Sequence, residues 1–230
     1  MVQMVQSGVA PASAAESLRG RLVRYDDVSG PKAATELARH AQRLDTAAMS
    51  DLLDRSVRQL GVIATWNDVC RPAFAAIVER QADGGCIEEE HALSWAAAGC
   101  LRQVVVRSAT SGPARIVLAC TPGERHLLPL DALAAALAQT GTPICMLGSD
   151  VPVTALRDAL ERARPAAVVL WSHEPRTADR DALAVGVAFA DHVYIAGPGW
   201  EDVPVDGVAA LPDIESACEL LAETARLSAV

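Results

Sequence analysis

Aromatic residues make up only 3% of this 230-residue chain, lysine occurs once, at Lys32, and no two cysteines form a Cys-x-x-Cys pair. So few rings leave little for stacking on bases, which argues against a single-strand nucleic-acid binder. A formal net charge of −9 excludes a chain that grips a phosphate backbone by itself. No apolar run approaches the roughly 18 residues of a membrane span. The opening residues 1–20 lack the basic start and apolar block of a secretory signal. The six cysteines, Cys70, Cys86, Cys100, Cys120, Cys145 and Cys218, are scattered, the pattern of reduced, mostly buried thiols in a cytoplasmic protein. Also missing are a Walker loop, a zinc-spaced Cys/His cluster and a Ser-His-Asp order around a nucleophile elbow, so nothing points to an enzyme. What is present is a 51% hydrophobic chain, long enough for one large domain or two compact ones.

The pattern changes at Ser108-Ala109-Thr110-Ser111-Gly112-Pro113, a small and polar stretch suited to a linker. Before it the spacing is helical. Leu37, Ala41 and Leu44 follow Pro31; Asp45 offers an N-cap before Met49, Leu52, Leu53, Val57 and Leu60; and Gly61 closes that helix. A third helix is expected over about Thr65–Arg80 and a fourth from Ile87 to about Val106, its first turn carrying three glutamates where the helix dipole favours them. Residues 31–108 therefore read as a four-helix bundle. After it, residues 112–230 alternate short β-rich runs (Ile116–Cys120, Ile144–Leu147, Ala167–Trp171, Val193–Ala196) with helices, the first of them expected over about Glu124–Gln139. That alternation signals an α/β, Rossmann-like (flavodoxin-like), doubly wound parallel sheet, whose ligands bind beyond the carboxyl ends of the strands.

Three of those strand ends carry chemistry. The loop Thr121-Pro122-Gly123-Glu124-Arg125-His126 offers an imidazole, a good axial ligand for a transition metal, with a carboxylate two residues away to fix its tautomer. Ser172 follows the third strand, and Gly197 and Gly199 follow the fourth, where the missing side chains let a bulky ligand approach the backbone. His173 and His192 border the same edge and read as solvated loop histidines.

The order of these features resembles the cobalamin-binding fingerprint: an acidic residue-x-His-x-x-Gly, then a serine, then a Gly-rich turn. The resemblance implies that His126 replaces the cofactor's own dimethylbenzimidazole as lower cobalt ligand, with Glu124 beside it. It also implies that the displaced nucleotide tail lies in a groove lined by Ser172, Gly197 and Gly199. In the helical half, Glu89-Glu90-His91-Ala92-Leu93-Ser94 after Trp66-x5-Pro72 resembles the bundle of MerR-family cobalamin-dependent photoreceptor regulators (CarH/LitR type), where Glu-His faces the adenosyl side; this brings Glu90 and His91 into the site. The likeness spans about residues 33–230, and residues 1–30 look like the end of a MerR-type DNA-binding domain and its linker.

This sequence departs from that family at three positions. Pro129 stands where the fingerprint has glycine, Arg80 where the photoreceptors carry a tryptophan over the adenosyl group, and Gln81 where they carry the histidine that takes the upper cobalt position after photolysis. Trp95, one turn after His91, offers an indole to the same cavity. The expectation is a ligand-sensing, homo-oligomeric half of a transcriptional regulator that binds cobalamin (adenosylcobalamin or another form) base-off, without bis-histidine photochemistry. It would reach DNA only through a domain absent from these residues. Two alternatives stay open: a related domain that has exchanged cobalamin for another ligand or only dimerises, and the corrinoid carrier of a methyltransferase.

Overall fold

The computed structural model describes residues 28–81, 84–108, 112–205 and 207–228. Most of the stretch read as a regulator's linker, and the middle of the Ser108–Pro113 segment, lie outside the described residues. Helix α1 (Gly30–Gln42) carries Pro31 in its first turn, where the missing N–H costs nothing, and buries Ala33, Leu37 and Ala41 at four-residue spacing. Helix α2 (Thr46–Leu60) starts where the Asp45 carboxylate accepts the Ala48 N–H at 3.0 Å, and ends at Gly61 with φ +83.

The third helical segment differs from its sequence expectation. It begins three residues earlier, as α3 (Val62–Thr65), widens into a π-helical turn (Trp66–Cys70) and resumes as α4 (Arg71–Gln81). The extra residue in that turn shifts the phase of the rod, so that Val69 and Cys70 enter the core while Trp66, Asn67 and Arg71 face the second half of the molecule. Helix α5 (Ile87–Ser108) completes the helical half, whose core joins Leu37, Met49, Leu53, Val69, Ile77 and Leu93.

The second half holds five parallel strands in the order β2-β1-β3-β4-β5: β1 (Ile116–Cys120), β2 (Ile144–Gly148), β3 (Ala167–Trp171), β4 (His192–Ala196) and a short edge strand, β5 (Ala209–Leu211), that the sequence did not signal. The strand order reverses its progression between β1 and β3, the switch point at which such sheets bind ligands. The side-chain period of two divides the sheet cleanly. Ile116, Leu118, Val169 and Tyr194 face α6 (Leu128–Gln139) and α9 (Ile214–Leu227). On the other face, Val117, Ala119, Val168 and Ile195 meet α7 (Val153–Ala163) and α8 (Arg180–Phe189).

Helix α6 is apolar almost all round because it is covered twice, by the sheet and by α5 of the helical half. Two polar ties join α6 to the helical half, one from α5 and one from α3. The Arg102 guanidinium donates from Nε and Nη2 to the two Asp131 carboxylate oxygens at 3.2 and 3.0 Å, and the Val62 N–H donates to Gln139 Oε1 at 2.9 Å. Burial pushes the Asp131 carboxyl up from its ordinary range, and the Arg102 bond opposes that push. All six cysteines are free thiols, and among the described residues no helix is long and apolar enough to cross a membrane.

Candidate functional site

Helix α6 was expected to start at Glu124, but its first turn begins at Leu128. The four residues before it stay in a loop because the Glu124 side chain is fully engaged elsewhere. Gly123, at φ +79, turns the chain, and its N–H donates to Asp150 Oδ1 at 2.6 Å. Glu124, only 1% exposed, then points inward. Its Oε1 accepts the His126 backbone N–H and pairs with His126 Nδ1, both at 2.7 Å. Its Oε2 accepts the His173 N–H at 2.6 Å, the Thr177 hydroxyl at 2.7 Å and, longer, the Glu174 N–H at 3.3 Å. Burial alone would raise this carboxyl. The bonds from Thr177, the two backbone N–H groups and the His126 ring outweigh it and hold the group at about 2.

An ionised carboxylate accepts and cannot donate, so Nδ1 of His126 carries the proton in this pair. The neutral ring then keeps its lone pair on Nε2, which has no protein partner among the described residues. The His126 side chain is 53% exposed and lines a cavity of about 770 Å³ between the halves. The His173 ring lies beside it, centroids 4.5 Å apart and planes 42° to one another. Across the cavity stand Glu90, His91 and Ser94 of α5 with Phe74 and Val78 of α4. A buried acceptor, an oriented imidazole and an open lone pair are the donor set of an axial nitrogen ligand, and they fit a corrinoid's lower position.

The expected tail groove is different. Ser172 is completely buried, with Oγ donating to the Glu174 carbonyl at 3.0 Å and meeting the Thr177 hydroxyl at 2.8 Å. The two glycines are packed against this same loop. A Cβ on Gly197 would overlap the Ser172 carbonyl oxygen and approach the Trp171 ring, and one on Gly199 would overlap Ser172 Oγ and the Glu174 carbonyl. The close approach these glycines permit is therefore loop against loop, tied by the Gly199 N–H to the Ser172 carbonyl at 3.0 Å, and leaves no groove for a ligand between them. Gly197→Ala, which also places a side chain at φ +97, is expected to destabilise the protein by about 2–4 kcal/mol. Urea unfolding followed by far-UV circular dichroism checks this.

An open space does exist on the neighbouring face. Strand alternation turns Trp171, not Ser172, toward α6 and α9, where an adjoining cavity of about 560 Å³ is lined by Leu130, Leu133, Trp171, Gly197, Leu211 and Ile214. It shares Trp66, Arg71, Pro129 and His173 with the first. Pro129 sits in the first turn of α6 and walls both cavities.

The remaining candidates lie apart from these cavities. Arg80 pairs with the buried Glu89 and donates to the Ala76 carbonyl, and Gln81 donates to Glu90 Oε2 at 2.8 Å. Both residues knit the end of α4 to the start of α5, and neither lines the cavity. Trp95 is 78% exposed on the outer side of α5, so it does not supply an indole there. Thr177 and Glu89 carry no sequence signal for the places they hold. Thr177 sits in a single 3₁₀ turn after β3 that brings its hydroxyl back to Glu124, and Glu89 stands among glutamates whose pattern is that of a dipole-matched helix start.

No family model and no curated protein matches this chain. Solved structures do resemble it. The Methanosarcina barkeri monomethylamine corrinoid protein superposes with a TM-score of 0.63 at 11% identity, over 85% of this chain and 99% of that one. A methanol:cobalamin methyltransferase complex from the same organism gives 0.43 at 15% identity (95% and 93% covered). A cobalamin-binding protein from Desulfitobacterium hafniense gives 0.38 at 18% (82% and 97%). The first likeness shows the fold: a helical half followed by the Rossmann-like α/β half found in corrinoid proteins.

Proposed function

We propose that this chain binds a corrinoid base-off through His126 and serves as the ligand-sensing half of a MerR-type regulator. The observation that carries the reading is the Glu124–His126 pair, which leaves one imidazole nitrogen free in a cavity walled by both halves of the molecule. A bound corrinoid would supply a cobalt ion with two axial positions. Glu124 holds the His126 ring in the tautomer and orientation a lower ligand needs, and Thr177 with the His173 N–H holds Glu124 ionised. The displaced base has room in the adjoining cavity, over Leu133 and Trp171.

The sensing role follows from where the ligand sits. A ligand spanning the cavity touches α4 and α5 on one side and the His126 loop on the other, so its binding energy depends on how the halves pack and biases that packing. A change in packing can alter self-association and, through a preceding DNA-binding domain, DNA affinity. Light is not the signal in this proposal, since Arg80 and Gln81 are tied to Glu89 and Glu90 and add no second imidazole above the ring.

A second reading, a corrinoid carrier for a methyltransferase, is favoured by the fold likeness to the monomethylamine corrinoid protein. One experiment addresses both. Protein mixed in the dark with adenosylcobalamin or methylcobalamin is passed through gel filtration and its visible spectrum recorded. The proposal expects a co-eluting base-off corrinoid, a shift in elution volume on binding and no further shift on illumination. Absence of bound corrinoid overturns corrinoid binding altogether. A methylcobalamin complex that leaves elution unchanged but passes its methyl group to a thiol acceptor favours the carrier.

A further inference from the structure

The two cavities at the sheet edge adjoin at Trp66, Arg71, Pro129 and His173, which line both and form their junction. The two are about equally mixed in polar and apolar lining, but they hold different groups. The larger holds the His126 ring, and the smaller has the flat Trp171 indole beside Leu130, Leu133 and Ile214. A ligand that fills both therefore reaches the His126 ring with one part, lays a flat part against Trp171 and has a connection past the shared residues.

Arg71 is the one fully charged side chain at that junction. It follows directly on the π-helical turn, whose extra residue carries it round to face the sheet edge. Of the other arginines in the region, Arg80 pairs with Glu89, Arg102 with Asp131 and Arg176 with Glu174, while Arg125 lines the larger cavity only and is not among the shared residues. The Arg71 guanidinium has no hydrogen-bond or ion-pair partner among the described residues. Of the acids lining the two cavities, Asp131 is held by Arg102, Glu90 by Gln81, and Asp213 caps α9 by accepting the Ser216 N–H. Glu201 borders the smaller cavity only. The junction thus offers a free planar cation, the group best shaped for a phosphate oxyanion.

We infer that Arg71 is a specificity residue: its guanidinium binds the phosphodiester that joins the corrin ring of a bound corrinoid to its nucleotide base. The inference rests on the corrinoid-binding reading and adds to it a preference for complete corrinoids over those lacking the nucleotide. A base released from cobalt by His126 hangs on a tether with a single negative charge. With the ring at His126 and the base in the smaller cavity, the tether between them would pass the shared residues, Arg71 among them.

The test compares methylcobalamin with methylcobinamide, which keeps the ring and cobalt but has no phosphodiester or base. Dissociation constants are measured by visible absorbance for wild type and Arg71→Gln, with thermal unfolding to show that the exposed substitution leaves the fold intact. Wild type is expected to prefer methylcobalamin. Arg71→Gln is expected to weaken methylcobalamin binding about tenfold, as for the loss of one charge-assisted hydrogen bond, and to leave methylcobinamide unchanged. The gap between the two proteins is expected to narrow as salt is raised. A substitution that weakens both ligands equally, or neither, overturns the role of Arg71 while corrinoid binding stands. Failure of wild type to bind either compound overturns both.

Discussion

Glu124→Ala is expected to lower stability at pH 7 by about 3–5 kcal/mol and to remove ligand binding with it. The carboxylate is buried and accepts from the His126 and His173 backbone N–H groups, the Thr177 hydroxyl and the His126 ring. Alanine leaves those buried donors without their acceptor. The same geometry sets an acid limit. The folded-state value of about 2 lies below the ordinary 4.5, so the stabilisation is present in full above pH 4.5 and is lost as pH falls toward 2. The loss over that window is on the order of 3 kcal/mol. Urea midpoints measured across it should fall for wild type and change much less for Glu124→Gln, which has no proton to gain. Parallel curves for the two proteins would show that another group carries the acid sensitivity.

His126→Ala separates function from folding at the same loop. The ring is half exposed and its loss strands no buried donor, so the stability change is expected to stay within about 1 kcal/mol. Corrinoid affinity is expected to fall at least about 100-fold, because the variant removes the ligand itself rather than its support. Any cobalamin that still binds is expected to keep its own base on cobalt, visible as a base-on spectrum. Wild-type affinity with a base-off spectrum in the alanine variant would refute His126 as the ligand. The neighbouring His173 ring, 4.5 Å away, would then be the nitrogen to test next.

Much of the architecture was legible because it rests on local periodicity. Leu37 and Ala41 at helix spacing, the Asp45 cap, the strands Ile116–Cys120 and Ala167–Trp171 and the helix Ile214–Leu227 all appear where the residue pattern put them. The π-helical turn was not legible, since Trp66–Cys70 reads as ordinary helix and the turn shows itself only in the folded chain, where it packs on α1. Strand β5, three residues long with two of them exposed, has no pattern of its own and exists through its pairing with β4. At the site, Glu124 and His126 were readable as a spaced pair. Ser172 was assigned to the ligand face although the alternation of β3 puts Trp171 there, a signal the sequence did contain.

The sequence by itself determined the two halves, the parallel sheet and the pairing of a carboxylate with a histidine two residues on, because these follow from the near-neighbour period of helix and strand. Tertiary structure decided everything that depends on which side chains meet across long separations. Thr177 and the His173 N–H reach Glu124 from about fifty residues away in sequence. Gly197 and Gly199 pack against the Ser172 loop, with only Gly197 left on a cavity wall, Arg80 and Gln81 turn to Glu89 and Glu90, and Trp95 faces outward. Each outcome was settled by burial and by the need of buried polar groups for partners, which no local pattern encodes.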